Sequence, residues 1–296
     1  MTKKFESFDI QVSTICNLKC DHCGMHYSLT GEEVDFNKIE EYIDSHNPKE
    51  VYLGGGEPLL KDTDKILHII RSFPQVEFKL VTNLCYPLTE DRISIIREVE
   101  SLQTSFDIGI RFHNIRNLLQ WYRNVKYVLE NVNKKLEVII CLTKKLLPQE
   151  PRKISKLMHD LGVFGYRYSA TYEFGKILTN KDLLLTKEEY ISFMNKVLDL
   201  QDPLDQTYLV ILNGDITSCP YNSYTQAVNC KGEDVHCVCK ERWNKKCHNS
   251  MNECLLCSKY SICGGKCEMV DCLFDDGIYN KAIEIAKKFR KKEDNR

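Results

Sequence analysis

Apolar residues recur along this chain with two alternating periods. Over 8–15 the period is two: Phe8, Ile10 and Val12 alternate with polar neighbours, β-branching is frequent, and a strand is predicted. Over 35–43 the period becomes helical, with Phe36, Ile39, Tyr42 and Ile43 on one face behind Asp35 as cap. The exchange repeats as strand 50–53, helix 62–73 stopped by Pro74, strand 77–83, helix 89–99 and strand 104–112. It continues as helix 114–130, strand 136–142, helix 151–161 and strand 165–170. Six strand-helix units predict a parallel sheet with helical crossovers. The pattern alone leaves a barrel and a doubly wound sheet both open.

Beyond this rhythm, 186–200 reads as a helix opened by a Thr186 to Glu189 capping box, with Tyr190, Phe193, Met194 and Val197 forming a core stripe. Composition shifts near 201–205, which sets the expected division: a core at 1–203, a cysteine-rich domain at 204–275, and a terminal helix and tail at 276–296. In the second part, 208–219 reads as a hairpin turning at Asn213 and Gly214. The run 276–292, with Ile278, Ala282, Ile283 and Ile285, reads as a helix packing back on the first part.

Length and charge narrow the classes. A chain of 296 residues buries a substantial core, and a formal charge of -1 gives no global surface for nucleic acid. The basic run at 287–292 reads as a solvated helix end. Neither a signal peptide nor a membrane-length apolar run is visible, so a cytoplasmic protein is expected. Fifteen cysteines in such a compartment do not read as disulfides, and ten of them lie between Cys219 and Cys272. That clustering reads as metal binding.

Two stretches carry the chemistry. Cys16, Cys20 and Cys23 follow the first strand as an incomplete metal shell, since structural zinc and a fully held 4Fe-4S cluster each take four protein ligands. Three thiolates leave a coordination position open. The bland alternative is that these are small buried apolar residues. The second stretch is Gly54, Gly55, Gly56, Glu57 and Pro58, at the end of the second strand. Successive glycines permit positive φ or close approach to a ligand.

A CxxxCxxC loop after the first strand, with Gly-Gly-Glu-Pro after the second, resembles the radical S-adenosylmethionine (radical SAM) enzymes. The resemblance implies an α/β fold, an open partial (β/α)6 TIM-like barrel with its site at the C-terminal strand ends. It implies a 4Fe-4S cluster on Cys16, Cys20 and Cys23 whose open iron chelates the methionine portion of S-adenosylmethionine. Glu57 and the glycines would meet the methionine amine. Asn83, Ser105, Asp107 and Arg167, near later strand ends, would contact its ribose and carboxylate. Ser105 and Asp107 also read as ordinary loop caps, and Arg167 as a surface ion pair. Cys85 and Cys141 read as buried, or as hydrogen-atom donors if they face the lumen.

In the cysteine-rich part, Cys254, Cys257, Cys263, Cys267 and Cys272 have spacings that suit an iron-sulfur or a zinc site equally. With Gly214 and Cys219 they resemble the SPASM extension of radical enzymes. That implies a small iron-sulfur domain with one or two auxiliary 4Fe-4S clusters: Cys254, Cys257, Cys263 and Cys272 on one, Cys219 and Cys267 on the other. The pattern's further cysteine before the glycine is missing, leaving Cys230, Cys237, Cys239 and Cys247 to complete the second cluster. An incomplete second cluster would keep an open iron.

The expected activity is reductive cleavage of S-adenosylmethionine to a 5′-deoxyadenosyl radical that takes hydrogen from a peptide undergoing crosslinking, thioether formation or oxidation. A flavodoxin or ferredoxin would supply electrons. Because the first strand begins near Phe8, a separate leader-binding protein would present the peptide. The rivals are a dehydrogenase of sugars or aminocyclitols, and a non-enzymatic iron-sulfur or zinc protein.

Overall fold

The computed structural model describes residues 7–24, 29–171, 175–212, 225–235, 273 and 275–293. Strands β1 (Ser7–Ser13), β2 (Glu50–Gly55), β3 (Glu77–Val81), β4 (Ser101–Ser105), β5 (Lys135–Leu142) and β6 (Gly165–Ala170) alternate with helices. The helices are α1 (Phe36–His46), α2 (Thr63–Ser72), α3 (Glu90–Glu98), α4 (Ile115–Tyr127) and α5 (Pro151–Leu161). Then follow α6 (Lys187–Asp199), α7 (Thr207–Leu212), β7 (Thr225–Val228), β8 (Asp234–Val235) and α8 (Asp276–Glu293). The strand order is β6-β5-β4-β3-β2-β1-β7-β8. Every pair from β6 to β7 is parallel, and only β7 with β8 is antiparallel. This is the α/β partial barrel expected, with a seventh parallel strand beside β1.

Alternation along the strands separates two faces. Phe8, Ile10, Leu53, Leu80, Leu102, Val138, Ile140, Tyr166 and Tyr168 are buried on one. With Ile39, Ile66, Ile69, Ile96, Trp121 and Met158 of the helices they form one core. Trp121 is fully enclosed and donates from Nε1 to Thr104 Oγ1 at 3.1 Å. The other face is polar. There Lys79 Nζ meets Glu50 at 2.5 Å and Tyr52 OH at 3.3 Å, Gln103 Nε2 donates to Glu137 at 3.1 Å, and Arg167 lies 3.8 Å from Glu137.

Local chemistry fixes the helix ends. Asp35 accepts from Lys38 N, Asn114 from Asn117 N, and the Thr186–Glu189 box is formed in both directions. Gly162 ends α5 at a φ of 76°, in the left-handed region.

Two expected elements differ. The fourth strand occupies Ser101–Ser105, not 104–112, because the chain turns at Asp107, whose carbonyl accepts from Arg111 N at 3.1 Å, and at Gly109, φ 75°. The first arm of the expected hairpin is instead helix α7: Asp205 Oδ1 accepts from Thr207 N at 2.9 Å, starting a turn that points the apolar run at α8. The rest of that hairpin lies outside the described residues. Helix α8 packs on α6 and α7, with Lys281 Nζ 2.6 Å from Asp199 and Tyr208 against Phe289. The sheet continues past residue 203, since β7 pairs with β1. Among the described residues, no helix is long and apolar enough to cross a membrane.

Candidate active site

The cysteine loop leaves β1 at the C-terminal edge of the sheet, where later loops converge on it. Asn17 Nδ2 donates to Cys85 O at 2.8 Å, and Asp21 N to Ile110 O at 2.8 Å. Asn180 Nδ2 reaches Asp21 O at 3.1 Å, Lys176 N reaches Cys23 O at 3.1 Å, and His113 Nε2 lies 3.1 Å from Lys19 O. The loops after β3, β4 and β6 therefore all grip it. Gly175, at a φ of 65°, sits so close that a Cβ there would come within 2.4 Å of Gly24 Cα. Cys20 is buried, and Cys16 and Cys23 are half-buried. Leu18 N and Asn83 Nδ2 point at Cys16 Sγ, 3.4 and 3.7 Å away.

The glycine run is stitched to the stem of this loop. Gly56 N donates to Ser13 O at 2.8 Å and Glu57 N to Ile15 O at 2.7 Å. A Cβ on Gly56 would lie 2.1 Å from Ile15 O; one on Gly55, whose φ is 114°, would lie 2.2 Å from Ser13 O. Chain contact alone explains these two glycines. Gly54 differs: its Cβ would meet nothing nearer than Asp9 Oδ1 at 3.6 Å.

Residues 10–158 match the Radical SAM superfamily. The chain is a radical SAM enzyme. Its fold resembles two solved enzymes in particular. One is SuiB of Streptococcus suis bound to precursor peptide SuiA, with TM-score 0.59 and 15% identity over 94% of this chain and 66% of that one. The other is anSMEcpe with bound AdoMet and Cp18Cys peptide, with TM-score 0.67 and 17% identity over 95% of this chain and 97% of that one. The chain thus spans just under two thirds of the SuiB length. No curated protein matches it.

The superfamily implies S-adenosylmethionine and a 4Fe-4S cluster, and the donor set of this radical SAM enzyme fits them. Only His22, Asp107 and Cys141 bring their ligand atoms within 4.8 Å of one another among the described residues, so the three loop sulfurs are not gathered that tightly. One zinc would draw thiolates to about 3.8 Å apart, whereas cluster ligands bind different irons. Burial pushes the Cys16 thiol up to about 11 and also raises Cys20, where Arg111 opposes the shift. Iron binding is what would deprotonate them.

Glu57 is completely enclosed in this radical SAM enzyme. Its carboxylate accepts from Thr82 Oγ1 at 2.7 Å, Asn83 N at 2.6 Å and Leu59 N at 3.2 Å, while burial lifts its pKa to about 7. The side chain is turned into the protein and ties the backbone after the glycines to Thr82 and Asn83. Pro58 begins a short 3₁₀ turn, Pro58–Leu60. Asn83 is buried against Asn17. Asp107 is also buried, accepting from Arg111 Nε and Cys141 N, each at 2.8 Å. Burial alone would raise its pKa, but Arg111 and His22 bring it below the usual carboxylate range. Ser105 and Arg167 lie half-buried on the polar face.

Cys85 is buried with Sγ 3.2 Å from Asn83 O, and burial pushes it up to about 12. Cys141 packs against Ile110, Ile177 and Leu183. Cys230 is buried at the exit of β7, where its N donates to Gln11 Oε1 at 3.2 Å and its O accepts from Asp35 N at 2.8 Å. The assignments to Cys219, Cys237, Cys239, Cys247, Cys254, Cys257, Cys263, Cys267 and Cys272 lie outside the described residues. Sequence reasoning missed Asn17, His22 and Arg111, whose roles depend on partners distant in sequence or beyond a turn; the spacing of Asp107 and Arg111 was the one available signal.

Proposed function

We propose that this enzyme holds a 4Fe-4S cluster on Cys16, Cys20 and Cys23, and binds S-adenosylmethionine along the backbone of Gly54, Gly55 and Gly56. It takes hydrogen from a peptide that reaches the polar face of the sheet. The observation that carries the reading is the joining of the cysteine loop to the glycine run by the Gly56 to Ser13 and Glu57 to Ile15 bonds. A cluster held by Cys16, Cys20 and Cys23 would supply, when reduced, the electron for cleaving bound S-adenosylmethionine to methionine and a 5′-deoxyadenosyl radical able to take the substrate hydrogen.

The protein's part is placement. The gripped loop keeps three thiolates at one strand end, with Cys20 buried and Cys16 and Cys23 half-buried. Glu57, by binding Thr82, Asn83 and Leu59, fixes the backbone after the glycines. Gly54 is buried beside β1 and β3, and Gly55, next to it, is exposed at the strand end. Asn83, Ser105 and Arg167 are the polar groups that the reading assigns to the cofactor's ribose and carboxylate.

A peptide substrate is supported by SuiB and anSMEcpe, both solved with peptides on a similar fold. The cysteine-rich part belongs to the same reading as a SPASM-type segment. Cys254, Cys257, Cys263 and Cys272 hold one auxiliary cluster, and Cys219 and Cys267 share the other with candidates among Cys230, Cys237, Cys239 and Cys247. Such clusters would take the substrate electron in a net oxidation. A flavodoxin or ferredoxin would reduce the enzyme.

The test is anaerobic release of 5′-deoxyadenosine from S-adenosylmethionine with dithionite. Wild type should release it and the Cys16, Cys20, Cys23 triple alanine variant should not; equal release contradicts the reading. Deuterium passing from a labelled peptide into 5′-deoxyadenosine supports the substrate class. Transfer only from a sugar alcohol or aminocyclitol would reassign it.

A further inference from the structure

Beneath the cysteine loop lies a buried charge pair that the reaction scheme leaves unused. Arg111 Nε donates to Asp107 Oδ2 at 2.8 Å, with the carboxylate side chain fully buried and the Arg111 side chain only 14% exposed. The turn after β4 builds the pair, since Arg111 N also donates to Asp107 O at 3.1 Å. The same turn touches the loop directly, through Asp21 N to Ile110 O at 2.8 Å, and His22 Nε2 lies 3.6 Å from Asp107 Oδ2.

One reading of this region is a second metal site, because His22, Asp107 and Cys141 bring ligand atoms within 4.8 Å and His22 Nδ1 is buried without a hydrogen-bond partner. Asp107 argues against it. Its two oxygens already accept from Cys141 N and Arg111 Nε, so a cation there would face the guanidinium across one carboxylate. The pair lies instead against the ligand loop itself: His22 Nε2, two residues from Cys20, is 3.6 Å from Asp107 Oδ2, and Asp21 N donates to the carbonyl of Ile110, the residue before Arg111. Lys176, whose N donates to Cys23 O at 3.1 Å, brings a second basic residue to the same loop.

We infer that Arg111, held in place by Asp107, is a positioning and charge-tuning residue that raises the reduction potential of the cluster on Cys20. This rests on the reading that Cys16, Cys20 and Cys23 hold that cluster. One-electron reduction adds a negative charge to the cluster, and a buried cation against the loop that carries its ligands stabilises the reduced form more than the oxidised one. Asp107 plays two opposed parts: it fixes the cation, and its own charge disfavours reduction.

The experiment is a potentiometric titration of anaerobically reconstituted protein with dithionite, followed by electron paramagnetic resonance. The relevant signal is the one absent from the Cys16, Cys20, Cys23 triple alanine variant. Arg111→Gln should lower the ratio of reduced to oxidised cluster at the wild-type midpoint about tenfold, a shift of ~59 mV for one electron. Arg111→Lys, keeping the charge, should recover most of it. Asp107→Asn should move the midpoint upward. A merely structural role would instead shift Arg111→Gln and Asp107→Asn in the same direction, and that result, or no shift in either, overturns the inference. If no signal depends on the three cysteines, the reading of the site itself fails, and this inference with it.

Discussion

Asn83 Nδ2 donates to Asn17 Oδ1 at 2.9 Å, joining two residues separated by 66 positions. Asn17 Nδ2 in turn donates to Cys85 O at 2.8 Å, and Cys85 N donates back to Asn83 Oδ1 at 2.7 Å. The bonds form a ring that locks the cysteine loop to the turn after β3. Asn83→Ala opens the ring and leaves buried groups unpaired, at a cost of about 1–3 kcal/mol. Iron retained on a chelator challenge should fall well below wild type. Asn83→Asp, which keeps the acceptor for Cys85 N, should fall between the two.

The glycines of the second motif should separate by experiment. Gly56→Ala forces a Cβ to 2.1 Å from Ile15 O and should lower the melting temperature by several degrees even without cofactor. Gly54→Ala, with its nearest contact at 3.6 Å, should melt as wild type does. Equilibrium dialysis with S-adenosylmethionine should nevertheless show weaker binding to Gly54→Ala, because the added methyl stands on the strand whose backbone is proposed to meet the cofactor. Unchanged binding would move the cofactor away from this glycine.

Asp205 makes a pH prediction away from the site. Burial lifts its pKa from the ordinary 3.8 to about 7, while its hydrogen bonds from Thr207 oppose the shift. The folded state therefore holds this proton more tightly than the unfolded chain. The contribution is fully present below the unfolded pKa and is lost as pH rises through about 7. Asp205→Asn keeps the acceptor and carries no charge. Urea unfolding at pH 5 and pH 8 should show the variant gaining on wild type at the higher pH, by roughly 2–4 kcal/mol. A pH-independent difference contradicts this.

Much of the fold was legible because burial on one sheet face imposes a period of two, and helices against that face impose a period near four. Pro151–Leu161 and Gly165–Ala170 have the predicted bounds for that reason. The fourth strand misled the reading. Phe106, Ile108, Ile110 and Phe112 alternate like a strand, while the true one, Ser101–Ser105, carries one large apolar residue, Leu102. The alternating residues form a turn held by Asp107 and Gly109, and Ile110 carries the carbonyl that anchors the cysteine loop. Tyr208 to Leu212 is an unbroken apolar run that suits strand or helix, and the bond from Thr207 N to Asp205 decides it. Strand β7 spans only Thr225–Val228, too short to declare itself. At the site, the cysteines and glycines stood out as local motifs. The enclosure of Glu57 arises from tertiary contacts that no local spacing encodes, and the Arg111–Asp107 pair offered only its spacing of four residues.

The central claim is that Cys16, Cys20 and Cys23 hold one iron-sulfur cluster. Its most direct test is iron per chain after anaerobic reconstitution, in wild type and in the triple alanine variant, with zinc measured alongside. The account predicts that the variant holds about four fewer irons, whatever the cysteine-rich segment contributes. Equal iron in the two proteins would contradict it.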